Sequence, residues 1–231
     1  MSIKDPNSAD LYCLDFRKDG GLIAVGGSDH EIKIYDDLTK SVITSLKADG
    51  AINMGHANRV FSVRFTDDPN ILVSGGWDNT VFFWDVRDGK STGFVHGPHI
   101  SGDSIDIKEN VMLTGSYSNK DVLQLWSISE RKLMHNIEWE PGLVAESEHG
   151  YIYSASFDKL VGKTQYIAAG GSGRNEVKFF KAAKDHDLIA RLSFNKTVTC
   201  IDYANSRNVF AACCSDGQTH IYNYETVTKS E

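Results

Sequence analysis

The sequence predicts an all-β fold built from repeated four-stranded units, and three observations predict it. A fixed spacing recurs along the chain. Phe16 precedes Tyr35, Phe65 precedes Trp84, Ile107 precedes Trp126 and Tyr203 precedes Tyr222, each by 19 residues, and Phe157 precedes Phe180 by 23. The five closing aromatics then stand 49, 42, 54 and 42 residues apart, the length of one four-stranded blade of a β-propeller. No stretch sustains the 3.6-residue apolar period of an amphipathic helix. Twenty glycines against four prolines suit short strands joined by tight turns.

Taken in order, the units give five blades in a single domain over residues 1–231. Their bounds are about 8–48, 55–97, 98–138, 150–193 and 195–231, and residues 2–4 read as the outer strand of a preceding blade. The second unit is the clearest. RVFSVRF (59–65) alternates and stops at the turn residues Asp67, Asp68, Pro69 and Asn70. ILVSGG (71–76) is a short apolar run, WDNT (77–80) a tight turn, and VFFWD (81–85) a β-branched and aromatic strand that stops before Asp88–Gly89. STGFVHG then forms the outer strand. The last unit reaches Tyr224 with three strands, so an N-terminal outer strand is expected to complete it.

Unit two carries Gly55–His56 and ends in Trp84–Asp85, and in this it resembles the WD-repeat family. The resemblance implies a hydrogen-bonded tetrad of His56, Ser74, Asp78 and Trp84, which gives a buried indole N–H an acceptor. A catalytic reading of His56, Asp78 and Ser74 competes with this packing role. The other units depart from the pattern. Unit one keeps Asp29 but has Tyr35, unit three has Trp126–Ser127, unit four ends Phe179–Phe180–Lys181, and unit five has Asp216 and Tyr222–Asn223. Incomplete tetrads predict that these blades rest on apolar packing. The phrases LYCLDF, GHANRVFSVRF, LVSGGWDNTVFFWD, GPHISGDSIDI and YIAAGGSGRNEVKFF resemble the last five blades of seven-bladed eukaryotic WD-repeat proteins. The resemblance implies an incomplete propeller: an open arc of five blades rather than a closed small ring, with another chain or segment completing it.

Composition excludes some functions. The net charge of −7 argues against nucleic acid or an anionic membrane as the main partner, and no apolar run approaches the ~20 residues of a membrane span. Cys13, Cys200, Cys213 and Cys214 form no CxxC pair. Read as buried thiols, they fit a reducing compartment. An intracellular, cytoplasmic protein is expected, and family analogy adds a cytoskeletal or ciliary assembly. His96 and His99 have HxxH spacing without a completing ligand. GGSGRN (170–175) lacks the Gly-Lys-Ser/Thr ending of a phosphate loop. No catalytic residue, metal or cofactor is expected.

The loop face carries the candidate partner-binding residues. Trp77 precedes Asp78 in a tight turn, where an exposed Trp makes an interface anchor, and Tyr117 takes the same place in unit three. The acidic segment 136–150 holds Glu138, Trp139, Glu140, Glu146 and Glu148, with Trp139 either a plug over its blade or a recognition anchor. Three functions are compatible with these features. The first is a non-catalytic scaffold mediating protein–protein interactions in a multiprotein assembly. The second is a peptide-recognition module for basic motifs, and the third is an enzyme with a site on the propeller axis.

Overall fold

The computed structural model describes residues 4–50, 53–140, 150–160, 166–183 and 185–224. Among them every regular element is a strand. Blade one is β1 Leu11–Phe16, β2 Leu22–Gly27, β3 Ile32–Asp36 and β4 Val42–Leu46. Blade two is β5 Val60–Phe65, β6 Ile71–Gly76, β7 Thr80–Asp85 and β8 Lys90–His96. Blade three is β9 Ile105–Lys108, β10 Val111–Gly115, β11 Leu123–Ser127 and β12 Lys132–Asn136, and blade four is β13 Tyr151–Phe157, β14 Tyr166–Ser172, β15 Glu176–Lys181 and β16 Leu188–Ser193. Blade five has three strands among the described residues, β17 Val198–Tyr203, β18 Val209–Cys214 and β19 Thr219–Asn223. Each sheet is an antiparallel meander in chain order, and the five together form an all-β, five-bladed propeller. Of the expected leading outer strand, residues 1–3 lie outside the described residues and Lys4 is not in a strand.

The core lies in the seams between blades rather than inside any one of them. A single sheet has two faces and no thickness, so its apolar side chains are buried only when the next blade covers them. Val60, Val63 and Phe65 of β5 press on Ala24, Ile32 and Ile34 of blade one. Ile100 and Ile105 meet Val73, Val81 and Phe83. Ile152, Ala155 and Phe157 meet Leu113, Leu123 and Leu125. Val198, Ile201 and Tyr203 meet Ala168 and Val177. Each large side chain so buried is worth about 1.5–3 kcal/mol. Glycine permits the close approach: a Cβ on Gly75 would come within 2.7 Å of both Ile100 and Ile105.

Charge also enters two blades, where apolar packing was expected. Lys33 is buried with Asp5 and Asp29, and Lys178 with Glu140 and Glu176. Both lysines sit in the third strand one residue from an apolar pair, so alternation places them on a covered face, and local carboxylates balance them. Blade three keeps half of the tetrad, with Trp126 Nε1 donating to Thr114 Oγ1 at 2.9 Å. Of the thiols expected to be buried, Cys214 is buried, Cys13 and Cys213 are half-buried, and Cys200 is exposed because, among the described residues, no blade covers that side of β17.

Candidate functional site

One irregularity is repeated around the propeller. The pairing of β1 with β2 passes from Leu11–Gly27 to Cys13–Gly26 and skips Tyr12. The same step skips Phe61 in β5, Tyr153 in β13 and Thr199 in β17. A bulge takes its residue out of the ladder and re-aims the side chain. In blades one, two and four that residue is aromatic.

These rings join others from the turns to form one arc. Tyr12 stacks on Phe61 with centroids 4.8 Å apart and planes 8° from parallel. Phe61 lies 5.0 Å from Trp77, and Trp77 lies 6.3 Å from His99. His99 is 6.4 Å from Tyr117, which stacks on Tyr151 at 4.4 Å and approaches Tyr153 at 5.4 Å. Seven rings thus run without interruption across four blades. Trp77 is 39% exposed and Tyr12 38%, so the arc is open to solvent. The Arg59 guanidinium lies 5.3 Å over the Trp77 ring. Burial pushes the His99 imidazole below its usual pKa, which favours a neutral ring against its aromatic neighbours.

The tetrad holds the turn that presents Trp77. Trp84 Nε1 donates to Ser74 Oγ at 2.8 Å, Ser74 pairs with His56 Nε2 at 2.8 Å, and His56 Nδ1 pairs with Asp78 Oδ2 at 2.8 Å. Asp78 is a carboxylate and only accepts, so the series assigns the hydrogen to Nδ1. Asp78 also accepts the Ala57 N–H at 3.0 Å. Burial raises its pKa, but the His56 and backbone bonds outweigh that and leave it below the usual carboxylate value. Trp77 is the residue before Asp78, and its own Nε1 donates to Ser101 Oγ at 3.0 Å. The His56–Asp78–Ser74 series ends on a buried indole, and His56, Ser74 and Trp84 are all buried.

Glu138, Trp139 and Glu140 belong elsewhere. Trp139 is half-buried against Phe180, with the Lys178 ammonium 4.4 Å over its ring. Glu140 binds Lys178, Arg174 and Arg191. Burial raises the Glu140 pKa, and these cations more than offset it. Trp139 thus packs on blade four, and Glu140 is paired there. Glu138 is exposed and lines a cavity of about 790 Å3 on the outer rim, beside the His135–His186 ring pair. Glu146 and Glu148 lie outside the described residues.

A second cavity, of about 420 Å3, opens on the axis and is lined by Asp15, Arg64, Asp103, Asp106 and Asp202. Its charges are engaged in joining blades. Asp15 accepts the Phe65 N–H at 2.7 Å, Asp106 accepts the Phe157 N–H at 2.8 Å, and Arg64 pairs with Asp103 at 2.5 Å. No group of three or more metal-ligating side chains lies together among the described residues. Sequence reasoning found Trp77 and Tyr117 but missed Tyr12, Phe61, His99, Tyr151 and Tyr153. The available signal was the alignment of LYCLDF, VFSVRF and YSASF, which places an aromatic two residues before an apolar one in all three strands.

Comparison with known proteins bears on the fold and the family. The model of the WD domain, G-beta repeat, matches residues 2–36, 48–85 and 187–223. The U3 small nucleolar RNA-associated protein 15 homolog of Xenopus laevis is 26% identical over 227 residues, covering 94% of this chain and 39% of that protein. The chain therefore spans about two fifths of that relative's length. A chain of the mitotic checkpoint complex superposes with a TM-score of 0.74 at 16% identity, over 93% of this chain and 63% of that one. The WD40 β-propeller domain of Doa1 gives 0.71 at 16%, over 92% and 63%. The repeat matches fall on blades one, two and five, which hold three of the five recurring aromatic spacings, so this chain carries WD repeats on a β-propeller fold.

Proposed function

We propose that the chain is a non-catalytic scaffold subunit of a multiprotein assembly and that it grips a partner on the aromatic arc. The observation that carries this reading is the run of seven rings from Tyr12 to Tyr153 on a rigid rim. Rigid aromatic surface offers large contact area at low entropic cost, the property of interface anchors. Glu140, which the basic-peptide reading needs free, is already paired, so that reading is the weaker one. The test is purification of the tagged chain with its bound proteins, followed by Trp77→Ala with Tyr117→Ala. The expected result is loss of the partner at unchanged β-sheet circular dichroism. An unchanged set of bound proteins overturns the reading.

A second reading has its own support. An aromatic rim with an arginine stacks bases as readily as it anchors side chains, and one relative is named for a small nucleolar RNA. The net charge of −7 describes the average surface rather than this rim. The same name supports the nucleus as the compartment and lends nothing to the cytoplasmic or cytoskeletal expectation. Quenching of Trp77 fluorescence by a single-stranded RNA, absent in Trp77→Ala, separates this reading from a protein-only scaffold.

A further inference from the structure

The Arg59 guanidinium is unpaired where most others in the chain are engaged. Arg64 is paired with Asp103, Arg87 with Asp85, and Arg174 and Arg191 with Glu140, while Arg131 donates to Thr92. Arg59 is exposed, and its side chain has no hydrogen-bond or ion-pair partner among the described residues. Its main chain is nevertheless fixed. The Arg59 N–H donates to Asn58 Oδ1 at 2.9 Å, and the Arg59 carbonyl accepts the Trp77 N–H at 3.1 Å. The guanidinium lies 5.3 Å over the Trp77 ring. Both residues belong to blade two, which has a blade packed on each side.

Stacking on an indole orients a guanidinium and leaves its five N–H donors free along its edge. An unspent fork of this kind matches a carboxylate bidentately. Among the described residues, Arg59 is the one cation set over a ring of the arc. The other ring neighbours of Trp77 add no charge. Phe61 is apolar, and His99 has its Nδ1 bound to Asn79 Oδ1 at 2.6 Å, with burial favouring its neutral form. Asp78, the carboxylate next to Trp77 in sequence, is already held by His56 and the Ala57 N–H.

We infer that Arg59 and Trp77 together take an acidic side chain of a protein partner, an Asp or Glu with an apolar residue beside it. The carboxylate lies in the guanidinium fork, and the apolar neighbour covers the exposed part of the indole. This rests on the scaffold reading and names the chemistry of the partner's contact. One fork suits one carboxylate. A run of phosphates calls for several cations, and a net charge of −7 opposes it.

The test is purification of the tagged full chain with its bound proteins, comparing wild type, Arg59→Gln, Arg59→Lys and the Trp77→Ala, Tyr117→Ala double variant. Arg59→Gln is expected to retain about tenfold less partner than wild type, at unchanged circular dichroism because the side chain is exposed. Arg59→Lys keeps the charge without the fork and is expected to fall between the two. It also places a primary amine at the site. Carbodiimide joins an amine to a carboxylate in contact with it, forming an amide with loss of water. Mass spectrometry of the treated Arg59→Lys complex is expected to find position 59 linked to an Asp or Glu of the partner. If the aromatic double variant releases the partner and Arg59→Gln does not, the scaffold reading stands and this inference falls. If neither releases it, both fall. Loss of the wild-type partner on ribonuclease or phosphatase treatment assigns the fork to a phosphate and overturns the inference. So does a complex in which carbodiimide links other lysines to the partner but never position 59.

Discussion

The indole N–H of Trp84 donates to the hydroxyl of Ser74 across β6 and β7, at 2.8 Å. Both residues are fully buried, and the same hydroxyl satisfies His56. Ser74→Ala therefore leaves two buried polar groups without partners. The expected cost is about 1–3 kcal/mol for each, read as a lower melting temperature by about 2–4 °C per kcal/mol in a chain of this size. Amide exchange in the 77–80 turn is expected to speed up with it, since Asp78 is held through His56. Unchanged melting would show that the series contributes nothing to blade two.

Lys178 is enclosed by Glu176, Glu140 and the Trp139 ring. Lys178→Met keeps most of the volume but removes the one buried cation between Glu140 and Glu176, leaving them only the more exposed Arg174 and Arg191. The expected loss is about 3–5 kcal/mol, measured by urea denaturation. Adding Glu176→Gln to Lys178→Met is expected to recover part of that loss. A double variant no better than the single would locate the cost in packing rather than charge.

The pH dependence follows from carboxylates held low. In Asp29 and Glu140 burial raises the pKa, but bonds to Lys33 and Lys178 prevail and set it below the usual value. Asp78 is low through His56. Asp85 is lowered to about 2, chiefly by Arg87. A depressed folded pKa contributes stability that is present above the unfolded value and lost as pH falls through the folded one. The urea midpoint is expected to be level from about pH 7 to 5 and to fall below about pH 4. Asp106 works in the opposite sense, because burial pushes it up. Asp78→Asn is expected to flatten the acid limb, and an unaltered limb would remove Asp78 from it.

The four thiols differ in reach. Burial between blades one and two pushes Cys13 up to about 12, while Cys200 stands on an uncovered face. Maleimide at neutral pH is expected to label Cys200 in the native protein and Cys13 only after unfolding. Mass mapping of the labelled peptides checks this, and early labelling of Cys13 would mean that the first seam opens.

The repeat was legible because a blade needs an aromatic to close its third strand, and the spacing of 19 follows from two short strands and a turn. The tetrad was legible through the resemblance of Gly55–His56 and Trp84–Asp85 to the WD repeat, which implies fixed places for His56, Ser74, Asp78 and Trp84 in one unit. Trp77 and Tyr117 could be placed on a rim because tight turns project their residues. The arc was not legible, because Tyr12, Phe61 and Tyr153 sit in strands whose alternation points them elsewhere, and the bulge that re-aims them is a matter of pairing rather than composition. Lys33 and Lys178 were missed because a lysine between apolar residues reads as solvent-facing until its carboxylates are brought to it. Cys200 read as buried because half of every β-strand in a propeller is buried by a neighbour the strand itself does not encode.

The recurring bulge separates two demands that most strand positions must meet together. A residue left out of the ladder at Tyr12, Phe61, Tyr153 or Thr199 carries no share of the backbone pairing that holds its blade. Exchanging it alters what the rim offers to a visitor while leaving that pairing untouched. Each blade so equipped has one position at which specificity can drift freely, and Thr199 shows a blade where that position has been given a different character from its three neighbours.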